Sequence, residues 1–533
     1  MSTAERNPAA AAESSASESG AGKKYFPYLR RFIIFSLALL WFGVFAPLGI
    51  DLHHDGVMFI PALRVANGDM VFRDVFCQYG MLSPVLQALA LKLGGAELLT
   101  LKYFMVLFYA GSAVMLDIIW QQLLTPRWRD LMLLMFFTLM PDTMVTFHPW
   151  SSIFALFFSL ISLWGQLKYL KQGKWYWLLF SGAMAGVTFL SRHPSGVVTL
   201  LAVWGTLFFE MMTVPAGWKA RIRKFVVSCG IAGGGFVSVA GIAAAIIIAA
   251  GAWDDFVFQC ITAVFGFVHA RGGSGDSNYL GQSLFPFVTS MGYFDSIFAV
   301  LPLTALFQLL SGVRKAVRSD VKAQESLSLI ALVIFALGSW HQYYPVPCVR
   351  HLFWAGVPFF GVFVLSIREL LQSTGERRWL CRILAAGLLL VFCACASVRI
   401  YSGCIRLATA GGRAVSEIPG LKGMKLTRGE DSLIRIFRST LESLPENIRQ
   451  RGVVNYTPDG LWSVILPDAG FKHRQFLLFW EGLYKDYDEK IIEFVREKRP
   501  VVLSSKMLLL EYYEIRMMIQ YMGIDYYMYV PMW

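Results

Sequence analysis

Asp51, His53, His54 and Asp55 put two carboxylates and two imidazoles into five consecutive positions, directly after a long apolar run. A carboxylate takes up a proton or binds a cation, and an imidazole orients it or shares its proton near neutral pH. At the edge of a membrane such a set could hold a general base or a divalent cation. The plain alternative is a polar loop that only closes a helix. The stretch continues through Asn67-Gly68-Asp69 and Arg73-Asp74 to Gln78-Tyr79-Gly80. Two further strings, Ser191-Arg192-His193-Pro194 and Val349-Arg350-His351, each bring a cation to the mouth of an apolar run, with His341 nearby in sequence. An arginine fork matches phosphate oxygens, although snorkelling towards headgroups also places arginines at such ends. Asp51, Asp55 and Asp74 offer oxygen ligands for a divalent cation such as Mg or Mn, but no spacing demands a metal. HExxH and Gly-rich phosphate-loop signatures are absent from the sequence.

The elements that must position these residues are membrane spans. Of 533 residues, 56% are hydrophobic and 16% charged, and the mean hydropathy is +0.53, outside the balance of a water-soluble domain. Eleven apolar runs follow one another: Phe32–Ile50, Leu98–Leu124, Leu131–Phe147, Ser151–Leu167, Trp175–Ser191, Val197–Phe209, Phe225–Ala252, Ser296–Val313, Leu327–Trp340, Leu352–Ile367 and Ile383–Val398. Several are short for a perpendicular helix, so their ends are soft. The net charge of +12 sits in clusters between the runs, which reads as topology and excludes a nucleic-acid partner. With the amino terminus inside, inner connections hold 22 Lys and Arg against 7 outside. That bias puts loops 51–97, 148–150, 192–195, 253–295 and 341–351, and the tail from about 400, on the non-cytoplasmic side.

Residues 1–30 form an Ala/Ser/Glu-rich cytoplasmic tail expected to be disordered, residues 31–400 the polytopic domain, and residues 401–533 a small outer α/β domain. In that domain, β-rich runs Gly452–Tyr456, Val501–Ser504 and Tyr526–Val530 alternate with a helical Asp486–Lys498. Pro84–Gly95 and Trp253–His269 are too short to cross and read as interfacial helices. The eight cysteines show no metal spacing, and a Cys77–Cys348 disulfide is one open pairing. Asp117 and Asp142 interrupt apolar runs as end-of-helix residues. Trp462, Trp480, Tyr484, Tyr512 and Tyr513 are read as packing residues rather than a sugar platform.

The ordered pattern of His53-His54-Asp55-Gly56, Pro61-Ala62, Asn67-Gly68, Arg73-Asp74 and Gln78-Tyr79-Gly80 resembles bacterial members of the GT-C superfamily of multispan glycosyltransferases. The match is close over the first loop and loose over the rest, and Met81 stands where relatives often carry Pro. The resemblance implies a membrane all-α fold of about eleven spans with interfacial helices. It also implies inverting transfer of a sugar from a polyprenyl-phosphate donor to a glycan, lipid or protein acceptor at the outer face of a bacterial inner membrane. Asp55 is then the base, with Asp51 or His54 orienting it, while Arg192, His193, Arg350, His351, Asp74, Gln78 and Tyr79 meet substrate. A transporter or flippase of lipid-linked solutes is the rival class, though it gives the carboxylate-rich loop no work to do.

Overall fold

The computed structural model describes residues 8–141, 145–213, 216–263, 296–318, 323–343, 349–473, 484 and 486–532. Each of the eleven apolar runs carries a helix. Eight helices are long and apolar enough to cross a membrane among the described residues: Pro27–Phe45, Leu98–Trp120, Ser151–Gln172, His193–Thr213, Trp218–Ala249, Ser296–Arg314, Arg350–Leu371 and Arg378–Ala410. Trp175–Ser191 is shorter but packs between its neighbours, where Gly182 and Gly235 let helix backbones approach too closely for a Cβ. The first helix starts at Pro8 rather than near residue 31. The Ala-rich stretch expected to be disordered is therefore helical from that point, as the helix propensity of alanine favours.

Two short helices lie across the end of the bundle, α2 (His54–Ala66) and α3 (Leu82–Gly94). The second was expected as an interfacial helix, and its companion Trp253–Val257 continues into a π-helical turn at Phe258–Thr262. Both α2 and α3 pack against the carboxy-terminal domain. Phe59, Ala62, Leu91, Leu98 and Leu101 share one buried cluster with Leu421, Met424, Leu433, Phe437 and Trp462. Burial of that shared apolar surface is what seats the domain.

The carboxy-terminal domain begins after the last helix ends at Ala410. A two-stranded ribbon pairs β1 (Ala414–Val415) with β2 (Lys425–Leu426). A four-stranded sheet runs in the order β3 (Val453–Tyr456), β4 (Val501–Ser504), β6 (Ile524–Pro531), β5 (Tyr513–Tyr521). β3 and β4 are parallel, with the helix Tyr487–Lys498 between them in sequence, and β5 forms a hairpin with β6. The strand β5 was not expected from sequence, although Tyr513, Ile515, Met517, Ile519 and Tyr521 alternate with the exposed Glu514, Arg516 and Gln520. The helix Arg428–Glu442 begins on a capping box between Thr427 and Glu430. Trp462 packs in the core as read, Tyr512 is exposed, and Trp480, Asp142 and Cys348 lie outside the described residues.

Backbone bonds stitch the domain to the first loop. Gly49 donates to the Lys425 carbonyl at 2.9 Å, Lys425 returns a bond to Pro47 at 2.7 Å, and Leu461 donates to Leu52 at 3.1 Å. Glu430, the capping residue, also accepts the Ile50 N–H at 3.2 Å. At Gly56 a Cβ would lie 2.7 Å from the Leu461 nitrogen and 2.8 Å from the Gly460 Cα. Backbone on both sides of that contact has no flexible end to yield. Gly56→Ala is therefore expected to loosen the domain from the loop, seen as faster limited proteolysis between residues 411 and 461. Unchanged cleavage in the variant would show that the contact is not needed for docking.

Candidate active site

Asp51 sits where a helix-capping residue normally does. Its Oδ1 accepts the backbone N–H groups of His53 at 3.1 Å and His54 at 2.8 Å, so it starts α2 as well as facing outward. Its Oδ2 meets His54 Nδ1 at 2.9 Å and lies 3.7 Å from His148 Nε2. Asp51 keeps 28% of its side chain exposed. Burial alone would raise its pKa, but the His54 hydrogen bond and the nearby imidazoles outweigh it and hold the carboxyl far below the usual range.

Asp55, one turn on, is fully enclosed. Its Oδ2 pairs with the equally buried Lys102 ammonium at 2.9 Å and accepts the Asp51 N–H at 3.1 Å, while Oδ1 accepts from His148 Nδ1 at 2.7 Å. Lys102 also donates to the Gly49 carbonyl at 3.2 Å. Burial opposes the charge on Asp55, yet Lys102 and His148 prevail and keep the carboxyl below its ordinary pKa. A carboxylate facing Nδ1 fixes the His148 tautomer with its lone pair on Nε2. Burial pushes that imidazole down to about 4 against the pull of Asp55, so it is neutral, and Nε2 has no hydrogen-bond partner among the described residues.

An aromatic floor extends from this cluster. His54 lies 5.7 Å from the Trp150 ring, Tyr79 lies 5.6 Å from Trp150 on another edge, and Trp354 stacks on Trp150 at 6.4 Å. Gly80 makes this approach feasible, since a Cβ there would meet the Leu190 carbonyl oxygen at 1.9 Å. Arg192, buried at the break between two spans, places its guanidinium 5.8 Å over the Tyr79 ring and donates to the Ser152 hydroxyl. Ser195 links the next helix to His341 Nε2 at 3.0 Å. Arg350 faces His148 closely enough to lower its pKa, and His351 lies 5.5 Å from Trp354.

The first loop, the 192 region and the 350 region, far apart in sequence, are thus brought to one end of the bundle. Two expected residues are taken up elsewhere. Asp74 is held by Arg73 at 2.8 Å, whose guanidinium also ties the loop to the Ala250 carbonyl. His193 packs between Phe189 and Phe256. Asp117 forms a buried cluster with Arg30 and Arg129 at the opposite end. Lys102, His148 and Trp150 were missed: Lys102 lies inside the apolar run Leu98–Leu124, and residues 148–150 read as a bare connection. A lysine four residues into an apolar run was the available signal, because an ammonium there needs an anionic partner.

No protein-family model and no curated protein matches the chain. Solved structures do. The archaeal oligosaccharyltransferase AglB from Archaeoglobus fulgidus, in complex with an inhibitory peptide and a dolichol-phosphate, superposes with a TM-score of 0.50 at 10% identity, over 91% of this chain and 70% of its own. ArnT from Cupriavidus metallidurans, bound to undecaprenyl phosphate, gives 0.50 at 10% identity over 93% and 97%. The chain has the GT-C fold. The Archaeoglobus fulgidus oligosaccharyltransferase in the apo form superposes with a TM-score of 0.51 at 12% identity, over 91% of this chain and 70% of its own. In this chain the cluster around Asp51 lies in the first loop, the segment on which the sequence resemblance rested.

Proposed function

We propose that this GT-C protein transfers a sugar from a polyprenyl-phosphate-linked donor to a hydroxyl of an envelope glycan, lipid or protein, with inversion at the anomeric carbon. The observation that carries the reading is a partly exposed carboxylate beside a neutral imidazole, with arginines at the same end of a GT-C bundle. The acceptor oxygen attacks the anomeric carbon, the bond from that carbon to the donor phosphate breaks, the proton passes to the protein, and the phosphate leaves on its lipid. Asp51 takes that proton in this reading. Asp55, the choice from sequence, has no exposed surface and both oxygens engaged, so it acts through His148 instead. Both Asp51 and His148 Nε2 are proton-free at neutral pH. Their low basicity suits a transition state with oxocarbenium character, in which the attacking hydroxyl loses its proton late.

Asp51, His54 and His148 also offer one oxygen and two imidazole nitrogens within 4.8 Å of one another. The unpartnered His148 Nε2 makes this set fit a divalent ion, and two nitrogens favour Mn or Zn over Mg, which prefers oxygen. When bound, such an ion would supply positive charge beside the attacking hydroxyl. Of the three carboxylates expected to ligate, only Asp51 is available, because Lys102 engages Asp55 and Arg73 engages Asp74.

The test is transfer of radiolabelled sugar from a polyprenyl-phosphate donor by the purified protein in lipid nanodiscs; neither release nor transfer across a panel of donors and acceptors would overturn the reading. Arg350 faces the donor phosphate in this scheme. Arg350→Lys keeps the charge and loses the fork, so donor affinity is expected to drop about tenfold with insertion unchanged; equal affinity in both proteins would return Arg350 to headgroup contact. The charge asymmetry of the connections supports an inside amino terminus and an outer carboxy-terminal domain in a bacterial inner membrane. An alkaline phosphatase fusion at Trp533 is then expected to be active, and activity of a cytoplasmic reporter alone would reverse the sidedness.

A further inference from the structure

Gln259 and Cys260 are consecutive on the π-helical turn Phe258–Thr262, and both reach across to residues 72–79 of the first loop. Gln259 is buried and engaged at both ends: its Oε1 accepts the Cys77 N–H at 2.8 Å, and its Nε2 donates to the Phe72 carbonyl and the Tyr484 hydroxyl, each at 2.8 Å. That clamp holds a strained stretch of backbone, since Phe72 has a φ of 71°, in the left-handed region that a bulky side chain rarely adopts. Cys260 brings a thiol to the same spot. Its Sγ lies 3.6 Å from the Cys77 carbonyl oxygen and 3.9 Å from that of Tyr79, and the Cys77 Sγ lies 3.3 Å from the same Tyr79 oxygen. Two sulfurs thus converge on one carbonyl, within an apolar cluster that includes Val71, Phe72, Ile247, Ala252 and Phe256.

Both are free thiols in this structure, and among the described residues they are the two cysteines outside the long helices. Cys229 lies on Trp218–Ala249, and Cys381, Cys393, Cys395 and Cys404 lie on Arg378–Ala410. A thiol is a weak donor, so little is lost when its hydrogen bond to a carbonyl is given up. In the proposed topology loops 51–97 and 253–295 share the outer side of the membrane, the side on which disulfides form and persist.

Resting on that sidedness and not on sugar transfer, we infer that Cys77 and Cys260 become joined by a disulfide, a staple between the first loop and the segment that follows the span Trp218–Ala249. Two S–H bonds break and one S–S bond forms. The two electrons and two protons pass to a disulfide oxidant of the outer compartment, which is thereby reduced to two thiols. Burial sets the order of events: it pushes the Cys77 thiol up to about 12 and Cys260 well above its usual value, so in the closed loop neither supplies the thiolate that exchange requires. Exchange therefore precedes closure, and the finished bond is shielded from reductant. The staple acts on the candidate site through Tyr79, two residues from Cys77, whose ring lies under Arg192 and against Trp150. It also takes Cys77 away from the Cys348 pairing that the sequence left open.

The experiment is a peptide map of the full-length protein, extracted from bacterial membranes without reductant and denatured in the presence of a maleimide. The expected result is one pair of peptides joined through Cys77 and Cys260, which separates when reductant is added before the maleimide. Trypsin is also expected to cut after the exposed Arg73 about tenfold faster in Cys260→Ala than in wild type, less than a disulfide usually contributes. Reductant should bring the wild-type rate up to that of the variant and leave the variant unchanged, a redox dependence that lost packing alone would not produce. Cleavage insensitive to reductant would overturn the stapling role. Maleimide on both Cys77 and Cys260 without reductant, or Cys77 joined to Cys348, would overturn the bond itself. The alkaline phosphatase fusion at Trp533 then separates two failures: free thiols beside an active fusion sink the bond and leave the sidedness, whereas free thiols beside an inactive fusion sink both.

Discussion

Asp51→Asn is expected to lower sugar transfer by roughly two to four powers of ten, the usual worth of a positioned general base, while donor binding and expression stay near wild type. The separation follows from the two tasks of this side chain. Its Oδ1 caps α2 by accepting the His53 and His54 N–H groups, and an asparagine carbonyl oxygen accepts the same bonds. Its Oδ2 carries the charge that meets His54 and faces His148, and that charge is what the amide removes. Asp51→Ala should by contrast lose the cap and about 1 kcal/mol of stability as well. Donor affinity measured beside turnover separates the outcomes. Turnover within a few-fold of wild type in Asp51→Asn would remove Asp51 as the base and return the role to His148, whose Nε2 is the other free acceptor there.

The helical architecture was legible because the membrane writes it in long, nearly uncharged runs, and all eleven runs carry helices. The first-loop cluster was legible as a cluster because Asp51, His54 and Asp55 are neighbours in sequence. Which carboxylate faces outward was not. α2 turns Asp55 under the loop, where its partners come from Lys102 on the next long helix and His148 at the foot of another. Neither separation, 47 or 93 residues, leaves any periodic signal in the chain. Arg192 and Arg350 could be named because each sits at a span mouth beside a histidine. Their convergence on the Trp150 floor depends on helix packing across the bundle and could not be read. The buried Trp150 Nε1–H and Ser151 hydroxyl, without hydrogen-bond partners among the described residues, were also invisible, since Ser-Ser after Trp is an ordinary helix opening and only three-dimensional burial shows them.

Lys102→Met is expected to cost about 3–5 kcal/mol of stability, the loss that follows when one member of a buried ion pair is removed and the other stays charged. Asp55 has no exposed surface, so its carboxylate then keeps only the His148 N–H and the Asp51 amide as partners. Asp55→Leu leaves the opposite orphan, a buried ammonium whose remaining partner is the Gly49 carbonyl. Thermal unfolding in nanodiscs should show both losses. The double variant Asp55→Leu/Lys102→Met replaces the pair by apolar groups of similar size and is expected to recover most of the stability, because the desolvation cost of both charges goes with them. Turnover is expected not to return with the fold. Without Asp55, His148 loses the acceptor that holds its proton on Nδ1 and its lone pair on Nε2, so the imidazole facing Asp51 is no longer fixed in one tautomer. A double variant both stable and active would show that the pair is only structural and that the dyad has no part in transfer. A single Lys102→Met variant as stable as wild type would show that Asp55 does not depend on the ammonium, and the account of why the loop holds its geometry would fail with it.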